Sequence, residues 1–187
     1  MKKISLIAIL LSGILFLENC KKDTVVATAT ATNLMIANIK DSTWFTDTVT
    51  SSLVYNSIAK TKTFTCEGTA FNRRVTISLT KASGSNTSGF PLGTYIVDST
   101  PNVALAFSTP KRNDAGAIVY VPNGTVAPGS GTVTVTAIDS VKRELTGTFS
   151  FTTLVNNYDS HGNIISVSIA VISGGGFNKV PYNFTSN

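Results

Sequence analysis

The sequence predicts an all-β domain, an antiparallel β-sandwich or flattened meander barrel of about nine or ten strands, carried behind a signal peptide and a flexible tether. Three observations predict it. After residue 34, apolar residues recur at every second position with Thr or Ser between them. Gly/Asn/Asp/Ser clusters break this alternation at short intervals, about every 8 to 15 residues. No amphipathic helical period appears beyond the leader.

The chain of 187 residues opens on a basic pair, Lys2 and Lys3, and an apolar run from Ile4 to Leu17. About 14 residues fall short of the roughly 20 that span a bilayer core, so the run reads as a secretory signal segment. Leu17-Glu18-Asn19-Cys20 follows and looks like a lipobox, with Leu17 three residues before the cysteine. Asn19 stands where a small residue is usual, and Glu18 is also atypical. Looser boxes followed by Lys-Lys-Asp resemble those of Bacteroidetes lipoproteins. The expectation is cleavage after residue 19 and lipidation of Cys20, with palmitate-type acyl chains as the membrane anchor. Two or more chains give stable attachment, whereas one is marginal. Residues 20–33 (CKKDTVVATATATN) then form the tether, which extends to about 40 Å. The expected location is the cell envelope, at the outer rather than the inner membrane.

Residues 34–187 form the predicted single domain, large enough at ~150 residues for a sizeable core. Asn38-Ile39-Lys40-Asp41-Ser42-Thr43-Trp44 starts it, with Trp44 in a strand-like segment and expected in the core. Phe64-Thr65-Cys66-Glu67-Gly68 places Cys66 on the side of Phe64, which suggests a buried thiol. Asn72-Arg73-Arg74 reads as a hairpin turn with a solvated arginine pair. Val75, Ile77 and Leu79 then alternate with Thr76, Ser78 and Thr80. Ala82 to Gly89 is a Gly/Ser loop, and further breaks fall at Lys111 to Gly116, Asn123 to Gly131, Asp139 to Arg143 and Tyr158 to Asn163. Between them Val133, Val135 and Ala137 alternate with threonines, as do Leu145, Gly147, Phe149 and Phe151 with Thr and Ser. Ile165, Val167, Ile169 and Val171 form the last such row, assigned with the others to the inner face. Consecutive hairpins favour a meander.

The order of Asn38 to Trp44, Gly93-Thr94-Tyr95, Gly131 to Val135, Leu145 to Phe151 and Gly176-Phe177-Asn178-Lys179-Val180-Pro181-Tyr182 resembles an uncharacterised family of Bacteroidetes lipoproteins, domain of unknown function 6252. The resemblance covers nearly the whole mature length. It implies an all-β envelope domain and carries no catalytic residues.

Residue supply argues against catalysis. A Ser or Cys nucleophile needs a positioned base, and the one histidine, His161, sits in the turn-rich Tyr158 to Asn163 segment. Zinc sites use several His or Cys ligands, and the acidic loops at Asp114 and Asp159 lack the spaced oxygen series of a calcium site. No catalytic residue, metal site or cofactor is therefore assigned. The formal charge of +5 becomes +4 once residues 1–19 are lost, and basic residues do not cluster with aromatics, so no nucleic-acid partner is expected. With Cys20 lipidated, Cys66 has no disulfide partner.

Tyr158 is the candidate ligand contact. Five of the seven aspartates precede Ser or Thr and then an aliphatic residue or Thr. This pattern is similar to an O-glycosylation sequon of Bacteroidetes envelope proteins and makes Thr24, Ser42, Thr48, Ser99 and Ser140 candidate glycan sites. Turn chemistry is the competing reason for Asp beside Ser or Thr. The functional expectation is a lipid-anchored, non-enzymatic binding or structural module. The alternative is carbohydrate or ligand capture beside an outer-membrane transporter. Its partners are membrane lipid through Cys20 and a glycan or envelope protein, and the domain itself is expected to be monomeric.

Overall fold

A computed structural model describes residues 33–187. Twelve strands follow one another: β1 (Met35–Ile39), β2 (Ser42–Thr46), β3 (Val49–Asn56), β4 (Thr61–Ala70), β5 (Arg73–Ala82), β6 (Gly93–Ile96), β7 (Val103–Arg112), β8 (Ile118–Pro122), β9 (Gly131–Asp139), β10 (Glu144–Tyr158), β11 (Ile164–Pro181) and β12 (Asn183–Ser186). They form two six-stranded sheets, in the orders β2-β1-β11-β10-β9-β6 and β12-β3-β4-β5-β7-β8. The architecture is a sandwich and not a closed barrel. The strand count exceeds the expected nine or ten because β2, β6, β8 and β12 span only four or five residues each. Alternation over so few positions is no signal.

Hairpins β3-β4-β5 and β9-β10-β11 run as meanders. The ordering is otherwise not a meander: β1 and β2 add to the far side of β11, and β12 lies parallel to β3. Two tight hairpins use two-residue turns with both central residues at positive φ, Lys40-Asp41 (49° and 65°) and Phe71-Asn72 (50° and 56°). That handedness matches the twist of the flanking strands. The second turn corrects the predicted one. Arg73 and Arg74 already belong to β5, and Arg74 is half-buried, 3.2 Å from Glu67 and 4.0 Å above the Tyr120 ring.

The inner faces meet in one core. Phe64 of β4 touches Phe177 of β11 across the sandwich, with ring centroids 6.4 Å apart, and Phe177 stacks on Phe149 of β10 at the same separation. Such offset pairs add to the burial of large apolar rings. Trp44 is fully buried, and its indole N–H donates to the Ala70 carbonyl at 3.1 Å. Val133, Val135, Leu145, Phe149 and Phe151 lie inward, as their alternation predicts, but Ala137, assigned to the same face, is exposed because β9 spends two steps against one on β10 between Val135 and Ala137.

The row Ile165, Val167, Ile169 and Val171 does not. These side chains are 49–66% exposed, and Ala170 and Ile172 are buried instead. Bulges explain the reversal. Between Gly175 and Ile172, β11 spends three steps against two on β10, from Phe149 to Phe151. Another extra residue lies between Val180 and Phe177. Each insertion moves the following residues to the opposite face.

Candidate functional site

The outer halves of β10 and β11 carry a row of exposed aliphatic side chains. β9 pairs with β10 only from Glu144 to Phe151, and β1 pairs with β11 only from Ile172 to Phe177. Beyond these limits the two strands run on as a ribbon to Tyr158 and Ile164. The Thr152 N–H on the Ser130 carbonyl at 2.9 Å, a single bridge from Thr125 to Leu154, and the Lys40 N–H on the Val171 carbonyl at 3.3 Å are lateral backbone contacts at its base. One face carries Ile165, Val167, Ile169 and Val171, and cross-strand pairing sets Thr152, Leu154 and Asn156 beside them. On the other face Asn157 donates to the hydroxyls of Ser166 and Ser168, both at 3.0 Å. The residues from Thr152 to Val171 include no Lys, Arg or Pro.

Tyr158 lies at the tip, 57% exposed, beside the turn Asp159 to Asn163. Asp159 accepts the backbone N–H groups of His161 and Asn163 and the Asn163 side-chain amide. These bonds, the Asn163 backbone donor first, hold its carboxyl below the usual carboxylate range. The acid is therefore engaged in shaping the turn, and the His161 ring nitrogen Nδ1 lies 3.4 Å from the Ser160 hydroxyl.

The other candidates lie apart. Cys20 and Thr24 fall outside the described residues, as do the signal peptide and the tether up to residue 32. Ser42, Thr48, Ser99 and Ser140 are exposed at four separate turns or strand ends. Asp98 binds the Thr100 N–H and hydroxyl, at 2.8 and 2.6 Å, and Asp139 binds the N–H groups of Val141 and Lys142. At both positions the aspartate has a turn to stabilise, whatever happens at the neighbouring hydroxyl.

Cys66 is fully buried, with its thiol 3.6 Å from the Met35 sulfur. Burial first, and then the negative charge of Glu67, push its pKa up to about 12. A thiol that keeps its proton at neutral pH is a poor nucleophile. Among the described residues no three His, Cys, Asp or Glu side chains gather as metal ligands.

Two features were missed in the sequence. Lys62 is 3% exposed, and its ammonium donates to the Thr87 hydroxyl at 3.0 Å and the Gly89 carbonyl at 2.6 Å. Burial lowers its pKa. It shares the inward parity of Phe64 and Cys66, which was the available signal. The second is an exposed edge-to-face pair, Phe45 and Phe71, with centroids 5.6 Å apart.

A family model described as a domain of unknown function (DUF6252) matches residues 31–181. No curated protein and no solved structure matches the chain.

Proposed function

From the premise that the chain belongs to the DUF6252 family, we propose that it is a lipid-anchored, non-enzymatic binding module of the cell envelope whose docking element is the β10–β11 ribbon. The anchor rests on the leader and on Cys20 within Leu17-Glu18-Asn19-Cys20. The docking role rests on one observation: a two-stranded extension that leaves four aliphatic side chains 49–66% exposed. A domain with a filled core gains nothing in its own stability from such a face, and large exposed apolar patches mark contact sites.

The two ends of the molecule divide the labour. Leu34, where the chain enters the sandwich, accepts the Asn178 N–H near one end of β11. The ribbon tip at Ile164 lies roughly 45 Å away along the same strand, at about 3.3 Å per residue. The chain's entry into the sandwich and the ribbon tip thus lie toward opposite ends of β11. The reading predicts that Cys20→Ala moves the protein from the membrane to the soluble fraction. It also predicts that replacing Ile165, Val167 and Ile169 together by Thr shifts the membrane-extracted protein to a smaller species on a native gel. Unchanged migration of the triple variant would remove the ribbon as docking element.

A further inference from the structure

Building on this docking role for the ribbon, we infer that its occupant is a second copy of this chain, paired edge to edge and antiparallel along β11 about a two-fold axis at Val167. The backbone direction comes first. The Val171 carbonyl points away from β10 and takes the Lys40 N–H. N–H and C=O groups alternate sides along a strand, so those of Val167 and Ile169 also point to the open edge. The pairing Asn157 to Ser166 and Tyr158 to Ile164 puts the ribbon's bulge at the tip, beyond Val167 and Ile169. Edge strands in monomers are usually blunted by lysine, proline or central bulges. The stretch from Ile165 to Val171 has no lysine or proline, and the bulge touches only its end.

The sequence then selects the partner. Ile165-Ser166-Val167-Ser168-Ile169 reads the same in both directions. Any two-fold centred on a residue keeps side chains on matching faces, but only a palindrome sets like beside like. Here Ile165 meets the partner's Ile169, Ser166 meets the partner's Ser168, and Val167 meets the partner's Val167. An isologous contact joins the same patch of both copies, and the palindrome makes that patch meet itself with aliphatic beside aliphatic and hydroxyl beside hydroxyl. Within the two strands Asp159, at the tip, is the only residue from Thr152 to Val171 with a formal charge at neutral pH, and the neighbouring charges, Lys40 and Asp41 of the β1–β2 turn, line a cavity with Ile169 and Val171 at the inner end of the open edge. The product is a four-stranded sheet across two molecules, with the two aliphatic rows merged on one face.

Geometry sets the strength and the setting. An edge contact of this length is smaller than the roughly 800 Å² per partner of stable complexes. Membrane anchoring compensates by raising the effective concentration. Antiparallel pairing puts the two chain entries at opposite ends, about 70 Å apart by strand length. A segment of the length of residues 20–33 reaches about 40 Å when fully extended, long enough for both copies to attach to one membrane.

Disulfide trapping in native membranes tests the register with the full chain. Paired residues across antiparallel strands have Cα atoms close enough for a disulfide, and at the two-fold a residue faces its own copy. Val167→Cys should therefore give a covalent homodimer under mild oxidation, at least fivefold more than Val119→Cys, an exposed aliphatic position on β8, or the unaltered chain. Ile165→Cys and Ile169→Cys should each cross-link weakly alone and strongly when co-expressed. Retained protection of Cys66 from thiol reagents certifies the fold of each variant. Cross-linking at 167 no stronger than at 119 overturns the inference. A heavier adduct between position 167 and a different envelope protein also overturns it, but leaves the ribbon a docking element. The native-gel result for the triple threonine variant decides that broader reading separately.

Discussion

Phe177 packs its ring onto Gly147, its cross-strand partner, and a Cβ at Gly147 would run into that ring and into the Thr134 carbonyl. The arrangement repeats two steps along, where the Phe149 ring covers Gly175, its own partner. The two rings then stack on each other, 6.4 Å apart with planes 16° from parallel. Glycine at 147 is required here by close approach. Gly147→Ala should cost about 1–3 kcal/mol in urea unfolding through overpacking. Phe177→Ala should cost about 3–5 kcal/mol by opening a cavity. The double variant should cost less than the sum, because the ring that obstructs the new methyl is gone.

How much of this was legible depends on whether period two held unbroken. In β5 it runs straight, so Val75, Ile77 and Leu79 were read correctly as core; in β9 it holds only as far as Val135, beyond which an extra residue leaves Ala137 exposed and turns Ile138 toward the core. In β11 it does not. Alternation tells which residues share a face but not which face is inside, and two bulges reset the parity between Ile172 and Val180. Sequence reasoning therefore recognised the strand and buried the wrong half of it. The same β11 residues, read outward, became the candidate site. Nothing local to Ile165–Val171 announces exposure; the absence of flanking strands does, and that is a property of topology. Lys62 was hidden for a different reason, since a lysine in an apolar row is ordinarily assigned to solvent.

Cys66 gives a test of burial chemistry. In the folded protein the thiol keeps its proton up to about pH 12, against 9.0 for the free group. The stability that this contributes is complete below pH 9 and is lost as the pH rises toward 12, because only the unfolded chain sheds the proton in that window. Its ceiling is about 4 kcal/mol for a difference of this size. Equilibrium unfolding of the chain and of Cys66→Ala across that range should show the steeper alkaline decline only where the thiol is present. At neutral pH the thiol should resist maleimides until denaturant is added. Rapid labelling of the native protein would mean the core is open at β4.

Thr153 is 1% exposed at the ribbon's base, and its hydroxyl has no hydrogen-bond partner among the described residues. It borders a cavity of about 30 Å³ lined by Lys40, Asn123, Val155 and Ala170, among others. An unpaired buried hydroxyl costs stability that a methyl of the same shape does not, by about 1 kcal/mol or more. Thr153→Val should therefore raise Tm by roughly 2–4 °C for a domain of this size. Thr153→Ala, which removes the packing methyl as well, should lower it. A fall in Tm for the valine variant would show that the hydroxyl is used.

The exposed hydroxyls of Ser42, Thr48, Ser99 and Ser140 can be separated from their aspartates by mass and by turn stability. If sugars are attached at these tripeptides in the native host, the intact protein should exceed polypeptide plus lipid by whole glycan increments, and each Ser→Ala or Thr→Ala change should remove one. If turn geometry alone selected the aspartates, the mass matches polypeptide plus lipid and the Ser99→Ala and Ser140→Ala variants are silent. The aspartates should matter in either case. Asp139 accepts two backbone N–H groups at the β9–β10 turn, and those bonds, the Lys142 donor first, depress its pKa. A depressed carboxyl contributes stability that is present above its unfolded pKa and lost as pH falls through the folded one. Asp139→Asn should therefore flatten the acid limb of the stability profile below about pH 4, and Asp139→Ala should speed amide exchange at Val141 and Lys142. An unchanged exchange rate in the alanine variant would mean that the carboxylate does not hold this turn, and the sugar reading would then be the better account of why an aspartate stands there.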